Sequence, residues 1–289
     1  MIGEIRSNLD PVEMEGARAV MVPAEREPGA EDLPDVQSLE ALLAGTEAEW
    51  LKALLREDRL TSWFHPIVHA GDGQSIVAHE ALVRGLDTEG GIIPAGRVMG
   101  TAQEAGLTFP MDRAARVSAV ECFAPQAVPG MLFINFMPSA IYDPTFCLQT
   151  TFEAVERFGL DPDRVVFEVT ESERVQDQGH LRGILDYYRE AGFRIALDDL
   201  GAGYASLNLL HQIRPDYVKL DMDLVRNVDT DHYKAALAEA LLGAANKLSV
   251  PVVAEGVETE GEADWLRAAG ASYLQGFLYY KPGPRAQAA

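Results

Sequence analysis

FRIALDD (193–199) is an apolar run of strand length that ends abruptly on two adjacent acids, Asp198 and Asp199. The same construction recurs along the chain: IVAHE (76–80), MLFIN (131–135), RVVFE (164–168), PDYVK (215–219) and PVVAE (251–255). Each run reads as a buried strand, and each closes on a polar residue: Glu80, Asn135, Glu168, Lys219 or Glu255. Adding runs near 63–68 and 272–277 makes eight strands. Between most of them lie helical patterns, near 95–106, 111–124, 145–158, 178–191, 205–212, 230–248 and 259–269. Alternating strands and helices imply parallel strands, and eight of them imply closure into a barrel. Only AGDGQS (70–75) separates the first two strands, too short for a parallel crossover, so that pair is expected to be antiparallel. The expected fold is therefore an α/β protein, a modified TIM-type (β/α)8 barrel with an antiparallel first strand.

Helix signals agree with this frame. Asp231 to Leu248 is the clearest helix, with Tyr233, Ala236, Leu237, Ala240, Leu241, Ala244 and Leu248 on one stripe. Thr259 to Glu262 forms a T-x-x-E capping box, and Gly270 and Gly192 stand where helices end. Residues 1–45 read as an acidic, flexible N-terminal arm. Through Ala48 there are eleven Asp and Glu against three Arg, net −8, with four prolines interspersed. Leu39 to Leu60 shows helical spacing, one or two helices that pack on the barrel or dock a partner, and the barrel domain is expected over 46–285, including a leading helix at about 46–60.

The 289 residues carry a net charge of −21, which argues against a polymeric nucleic acid as partner and against a polybasic membrane anchor. No apolar stretch approaches the ~20 residues of a membrane span, and the N-terminus lacks a signal-peptide pattern. Two cysteines, Cys122 and Cys147, are too few for a disulfide framework. A cytoplasmic location with free thiols is the expectation.

Strand side chains alternate faces. If the strand-end polar residues point into the barrel, their neighbours Phe167, Leu197, Val218, Ala254 and Leu274 point at the helices, and all five are apolar. Glu80, Glu168, Asp198, Asp199 and Glu255 then converge on one mouth. Like charges ~4 Å apart repel by ~4 kcal/mol at an effective dielectric near 20, so either the carboxyl pKa values rise or cations are bound. Carboxylate and amide oxygens without Cys or His suit hard cations, Mg2+ or Mn2+. The tandem Asp198 and Asp199 can flank two ions, the usual device for phosphodiester hydrolysis, and Lys219 can orient water or offset transition-state charge. A helix cap is the structural alternative for the two aspartates.

The strings FHPIV (64–68), EALVRG (80–85), INF (134–136), FEVTES (167–172), ALDDLGAGYASL (196–207), PDYVKLD (215–221), VVAEGVET (252–259) and YLQGFLYYKP (273–282) resemble the EAL domain, the bacterial phosphodiesterase that hydrolyses cyclic di-GMP to linear pGpG. The resemblance runs from about Leu60 to Pro282 and implies a barrel with an antiparallel first strand. It implies that Glu80, Asn135, Glu168 and Asp198 hold one divalent ion. Asp198 and Asp199 would hold a second, with Glu255 assisting through water and Lys219 contacting the catalytic water. His65, Leu82, Arg84, Asp112 and Gln275 would contact substrate. Gly201 and Gly203 would belong to the loop that couples dimer contacts to the site, with Glu171 anchoring it, and a homodimer is expected. Glu258 reads equally as support for the site or as acidity at the start of a helix. Three departures stand out: His65 where the family usually has Gln, DLGAG where it usually has DFGTG, and Met137 where Ser often stands. A receptor that binds cyclic di-GMP without cleaving it is the alternative function. A protein partner for the acidic arm is compatible with either.

Overall fold

The computed structural model describes residues 17–22, 27, 29, 36–138, 141, 147–170, 178–202 and 206–288. Two compact units emerge: Leu60–Arg84 with the described part of Asp112–Ala289, and Gly85–Met111 with the described part of Met1–Arg59.

Eight strands close the barrel: β1 (Leu60–His69), β2 (Ile76–Leu86), β3 (Met131–Asn135), β4 (Val165–Thr170), β5 (Arg194–Leu200), β6 (Tyr217–Leu220), β7 (Val252–Ala254) and β8 (Tyr273–Leu274). Neighbours from β2 round to β8 are parallel. β1 closes the ring, pairing with β2 and running antiparallel to β8, with Tyr273 opposite His69 and Leu274 opposite Val68. The tight β1–β2 turn is built by Asp72. Its Oδ1 accepts from the backbone N–H of Gln74 and Ser75, and its Oδ2 from the Ser75 hydroxyl. Those hydrogen bonds, the Ser75 hydroxyl first, hold its carboxyl down at about 2. Gly73 supplies the positive φ of 63° that the turn requires.

The alternation expected of the strands is observed. Ile67, Ala78, Phe133, Val166, Ala196, Tyr217 and Val253 pack together inside the barrel. The opposite face of the sheet gives Val68, Leu220, Ala254 and Leu274 to a second cluster with the helix residues Leu242, Ala263 and Leu266. Each fully buried aliphatic or aromatic side chain contributes ~1.5–3 kcal/mol.

The described helices are α1 (Leu39–Arg56), α2 (Ala95–Glu104), α3 (Thr108–Phe123), α4 (Gln149–Arg157), α5 (Gln178–Glu190), α6 (Ser206–Ile213), α7 (Met222–Val225), α8 (His232–Lys247) and α9 (Glu260–Ala269). The α9 capping box forms with both reciprocal bonds, and Gly270 ends the helix at φ 93°. In α8 the apolar stripe of the sequence is not the buried one. Ala238, Leu242 and Ala245 are buried, while Tyr233, Leu237 and Leu248 are 74, 57 and 61 % exposed. The helix is apolar nearly all round, so periodicity identified a helix without fixing its inward face. Most of the acidic arm lies outside the described residues, and the helix that follows begins at Leu39, where the helical spacing of the sequence starts, ahead of the boundary expected near 46. Among the described residues no helix is long and apolar enough to cross a membrane.

Candidate active site

The parallel register sets the strand-end residues side by side. Asn135 on β3 is opposite Glu168 on β4, and Lys219 on β6 is opposite Val253 on β7, two residues before Glu255. Between β5 and β6 the register shifts. Leu197 pairs with Val218 and Leu200 with Leu220, so Asp198 and Asp199 together oppose Lys219. This is a β-bulge, and Asp199 adopts the left-handed conformation, φ 56°, that such an insertion demands. A regular strand would send the two carboxylates to opposite faces. Here Asp198, Asp199 and Glu255 each offer an oxygen within 4.8 Å of the others.

Lys219 is the hub. It is 1 % exposed, and its Nζ lies 2.5 Å from Glu255 Oε1, 2.7 Å from Glu168 Oε1, 3.2 Å from Asp198 Oδ1 and 3.7 Å from Glu80 Oε1. Asn135 Nδ2 donates to Glu80 Oε1 at 3.3 Å, and Gln275 Nε2 donates to Glu80 Oε2 at 2.8 Å. Asp198 Oδ1 also accepts from the Asp199 backbone N–H at 3.0 Å.

One ammonium does not neutralise five carboxylates, and the proton affinities record the mismatch. Burial pushes Glu168 well above the carboxylate range, with Lys219 opposing and Glu80 and Asp198 reinforcing. Burial also raises Asp198 against the pull of Lys219. Burial, with Asp198 and Asp221 nearby, lifts Asp199 to about 6. Glu255 reaches about 8, chiefly through burial, with Asp198 and Glu80 outweighing part of the attraction of Lys219. Glu80 is the exception: burial raises it, but Lys219 and the amide of Gln275 bring the net below normal. Burial disfavours the charge on Lys219, yet the four carboxylates hold its pKa well above the usual range.

These residues fit divalent cations. The ligand atoms are oxygens only, the charge deficit calls for cations, and Glu168 Oε2 is buried with no hydrogen-bond donor among the described residues.

A cavity of about 310 Å3 opens beside this centre, lined by His65, Glu80, Leu82, Glu255, Glu258 and Gln275 together with Met222, Arg226, Gly256, Gly276, Phe277 and Pro282. His65 Nε2 lies 3.1 Å from the Tyr280 carbonyl, and burial lowers its pKa. The Arg84 guanidinium stacks over Trp63 at 5.2 Å and donates to the Val83 carbonyl. Asp112, expected as a substrate contact, takes a supporting position instead. It is 3 % exposed, ion-paired to the fully buried Arg116 at 2.9 Å, and it accepts the backbone N–H of Met137, two residues beyond Asn135. Gly201 has φ 106°, and a side chain there would collide with Leu224. Glu171 and Gly203 lie outside the described residues. Sequence reasoning did not single out Arg226, although it faces Glu258 across the cavity rim. Nothing in hydrophobic periodicity marks an arginine in a short loop helix, and only the fold brings it to Glu258.

Comparison with known proteins agrees with this geometry. The EAL domain family model matches residues 48–282. Over 245 residues the chain is 31 % identical to the probable cyclic di-GMP phosphodiesterase PdeG of Escherichia coli K12, covering 83 % of this chain and 48 % of that protein. It is 32 % identical to the probable cyclic di-GMP phosphodiesterase PdeB of the same organism over 225 residues, 77 % of this chain and 42 % of the other. The chain thus spans about half the length of these curated relatives. Among solved structures, a standalone versatile EAL protein from Vibrio cholerae O395 in its c-di-GMP-bound form superposes with a TM-score of 0.72 at 37 % identity, covering 79 % of this chain and 94 % of that one. Klebsiella pneumoniae BlrP1 in a manganese/cy-diGMP complex gives 0.70 at 31 % identity, covering 78 and 56 %. With its family model matched across most of its length and its barrel shared with these structures, the chain belongs to the EAL domain family.

Proposed function

We propose that this chain hydrolyses cyclic di-GMP to linear pGpG in a reaction that requires divalent cations. The observation that carries this reading is the set of four carboxylates, from β2, β4, β5 and the residue after β7, around Lys219 Nζ, beside a cavity of ligand size. Glu80, Asn135, Glu168 and Asp198 would hold one Mg2+ or Mn2+, and Asp198 with Asp199 a second. When bound, such ions stabilise negative charge on phosphoryl oxygens and acidify water.

The chain's own groups divide the remaining work. Water adds to phosphorus and the 3′-oxygen leaves, which opens the ring and leaves a 5′-phosphate on the product. Lys219 stays protonated among its carboxylates, so its ammonium donates hydrogen bonds that orient the water and offset charge building on the phosphoryl oxygens. Glu255 joins Lys219, Asp198 and Asp199 on the same side of the site, and its raised proton affinity suits it to take the proton the water loses. Gln275 and Asn135 hold Glu80 from two sides, which fixes the carboxylate in place.

Purified chain supplied with Mg2+ or Mn2+ is expected to convert cyclic di-GMP to pGpG, followed by chromatography. Asp198→Asn or Glu80→Ala should reduce the rate by at least about 10²-fold. A metal-replete wild-type protein that makes no pGpG refutes the proposal.

A further inference from the structure

The loop after β6 and the loop after β7 face each other across the mouth cavity, and each carries one charged side chain to its rim. Arg226 and Glu258 form a two-pronged pair there, NH1 to Oε2 at 2.6 Å and NH2 to Oε1 at 2.7 Å. Both side chains line the same cavity as Glu80, Glu255 and Gln275. They retain 28 and 46 % of their exposure.

The fold does not need this pair to join the two loops. Glu262, 1 % exposed, already does so: its Oε1 accepts the Asn227 backbone N–H at 2.9 Å, and its Oε2 accepts those of Glu258 and Thr259 at 2.8 and 3.1 Å. Lys234 ties the Arg226 loop from the other side, donating to the carbonyls of Asp223 and Arg226. A part-exposed ion pair adds little stability to loops so held. What the pair does achieve is orientation. Glu258 takes two donors of the guanidinium and fixes its plane, leaving further N–H donors for a ligand.

The surroundings define that ligand. Leu82, Met222, Phe277 and Pro282 give the cavity apolar walls, and Met222 and Phe277 stay 49 and 54 % exposed. Large apolar surfaces left open at the rim of a polar site suit the faces of a planar ring. At the edge of such a ring an arginine offers donors only. It therefore fits a base with two adjacent acceptors, the O6 and N7 of guanine, and meets a donor, N6, on adenine.

Resting on the proposed action on cyclic di-GMP, we infer that Arg226, positioned by Glu258, reads the O6/N7 edge of a substrate guanine and makes the site select guanine over adenine. The test uses the full chain with Mn2+ for turnover and Ca2+ for binding calorimetry, with cyclic di-GMP and cyclic di-AMP as probes. Arg226→Ala should raise KM for cyclic di-GMP about tenfold or more, change kcat by no more than about twofold, and cut the preference over cyclic di-AMP by a similar factor. Arg226→Lys, with a single donor point, should recover part of the loss. Glu258→Gln should fall between wild type and Arg226→Ala. If Arg226→Ala keeps the wild-type preference, whether or not it lowers the melting temperature, the inference is overturned and the phosphodiesterase reading stands. If the wild type itself neither binds nor cleaves cyclic di-GMP, the phosphodiesterase reading fails first and takes the inference with it.

Discussion

The crowding of carboxylates around a single ammonium predicts that the cation-free protein loses stability as pH rises, and Glu255 sets the size of the effect. Its carboxyl lies at about 8 in the fold, against 4.5 for a free side chain. A carboxyl raised on folding contributes fully below about pH 4.5, and that contribution drains away as pH climbs to about 8. Each tenfold change in proton activity across that window is worth ~1.4 kcal/mol, so between pH 5 and pH 8 the fold loses about 4 kcal/mol through this group. Asp199, lifted to about 6, adds in the same direction over the lower part of the range. The assay is urea unfolding in chelator at several pH values, for wild type and Glu255→Gln, whose amide does not titrate. The stability difference between the two proteins should shift by about 4 kcal/mol across the window, in favour of Glu255→Gln at high pH. Saturating Mn2+ should flatten the wild-type curve, because bound cations stabilise the ionised carboxylates. A difference that stays constant from pH 5 to pH 8 would refute the claim that burial among these carboxylates raises the proton affinity of Glu255.

Two further outcomes are expected. Gly276→Ala would drive a Cβ into the backbone N and O of Val257, which bond Gln275 and Leu278, so it should cost about 3 kcal/mol or more by urea unfolding and release Gln275 from Glu80, with a matching fall in turnover. Arg116→Met strands the buried Asp112 carboxylate and should cost about 3–5 kcal/mol, much of it recovered when Asp112→Asn is added, as read by the same unfolding curves.

The barrel was legible because most of its strands are short apolar words that close on or beside a polar residue; β2 instead runs on past Glu80 to Leu86. The antiparallel first pair was legible because six residues cannot carry a parallel crossover, and the structure adds that Asp72 shapes the turn. The convergence of Glu80, Glu168, Asp198 and Glu255 followed from strand alternation alone. Asp199 was expected there from its place at the end of the run, although a period of two would send it away from Asp198; the local break in register that brings the two together leaves no mark in composition. The pairing of Asp112 was not legible for a related reason. A carboxylate near a site by sequence motif can be consumed by a buried partner, here Arg116, whose position four residues on along the helix becomes decisive only when both are enclosed. Arg226 and Glu258 lie 32 residues apart and meet only through two loops that Glu262 holds together.

The extra residue at Asp198 and Asp199 has a consequence for how this centre tolerates change. Replacing one aspartate removes a carboxylate and leaves the pairing of the strand as it is, whereas a change of chain length there alters the pairing itself. Deleting either aspartate would restore an even ladder, with Leu200 still opposite Leu220 and one acid facing Lys219 in place of two. A gap at this point in an aligned homologue would therefore mark a barrel that has lost its paired acids even where the other strands keep theirs.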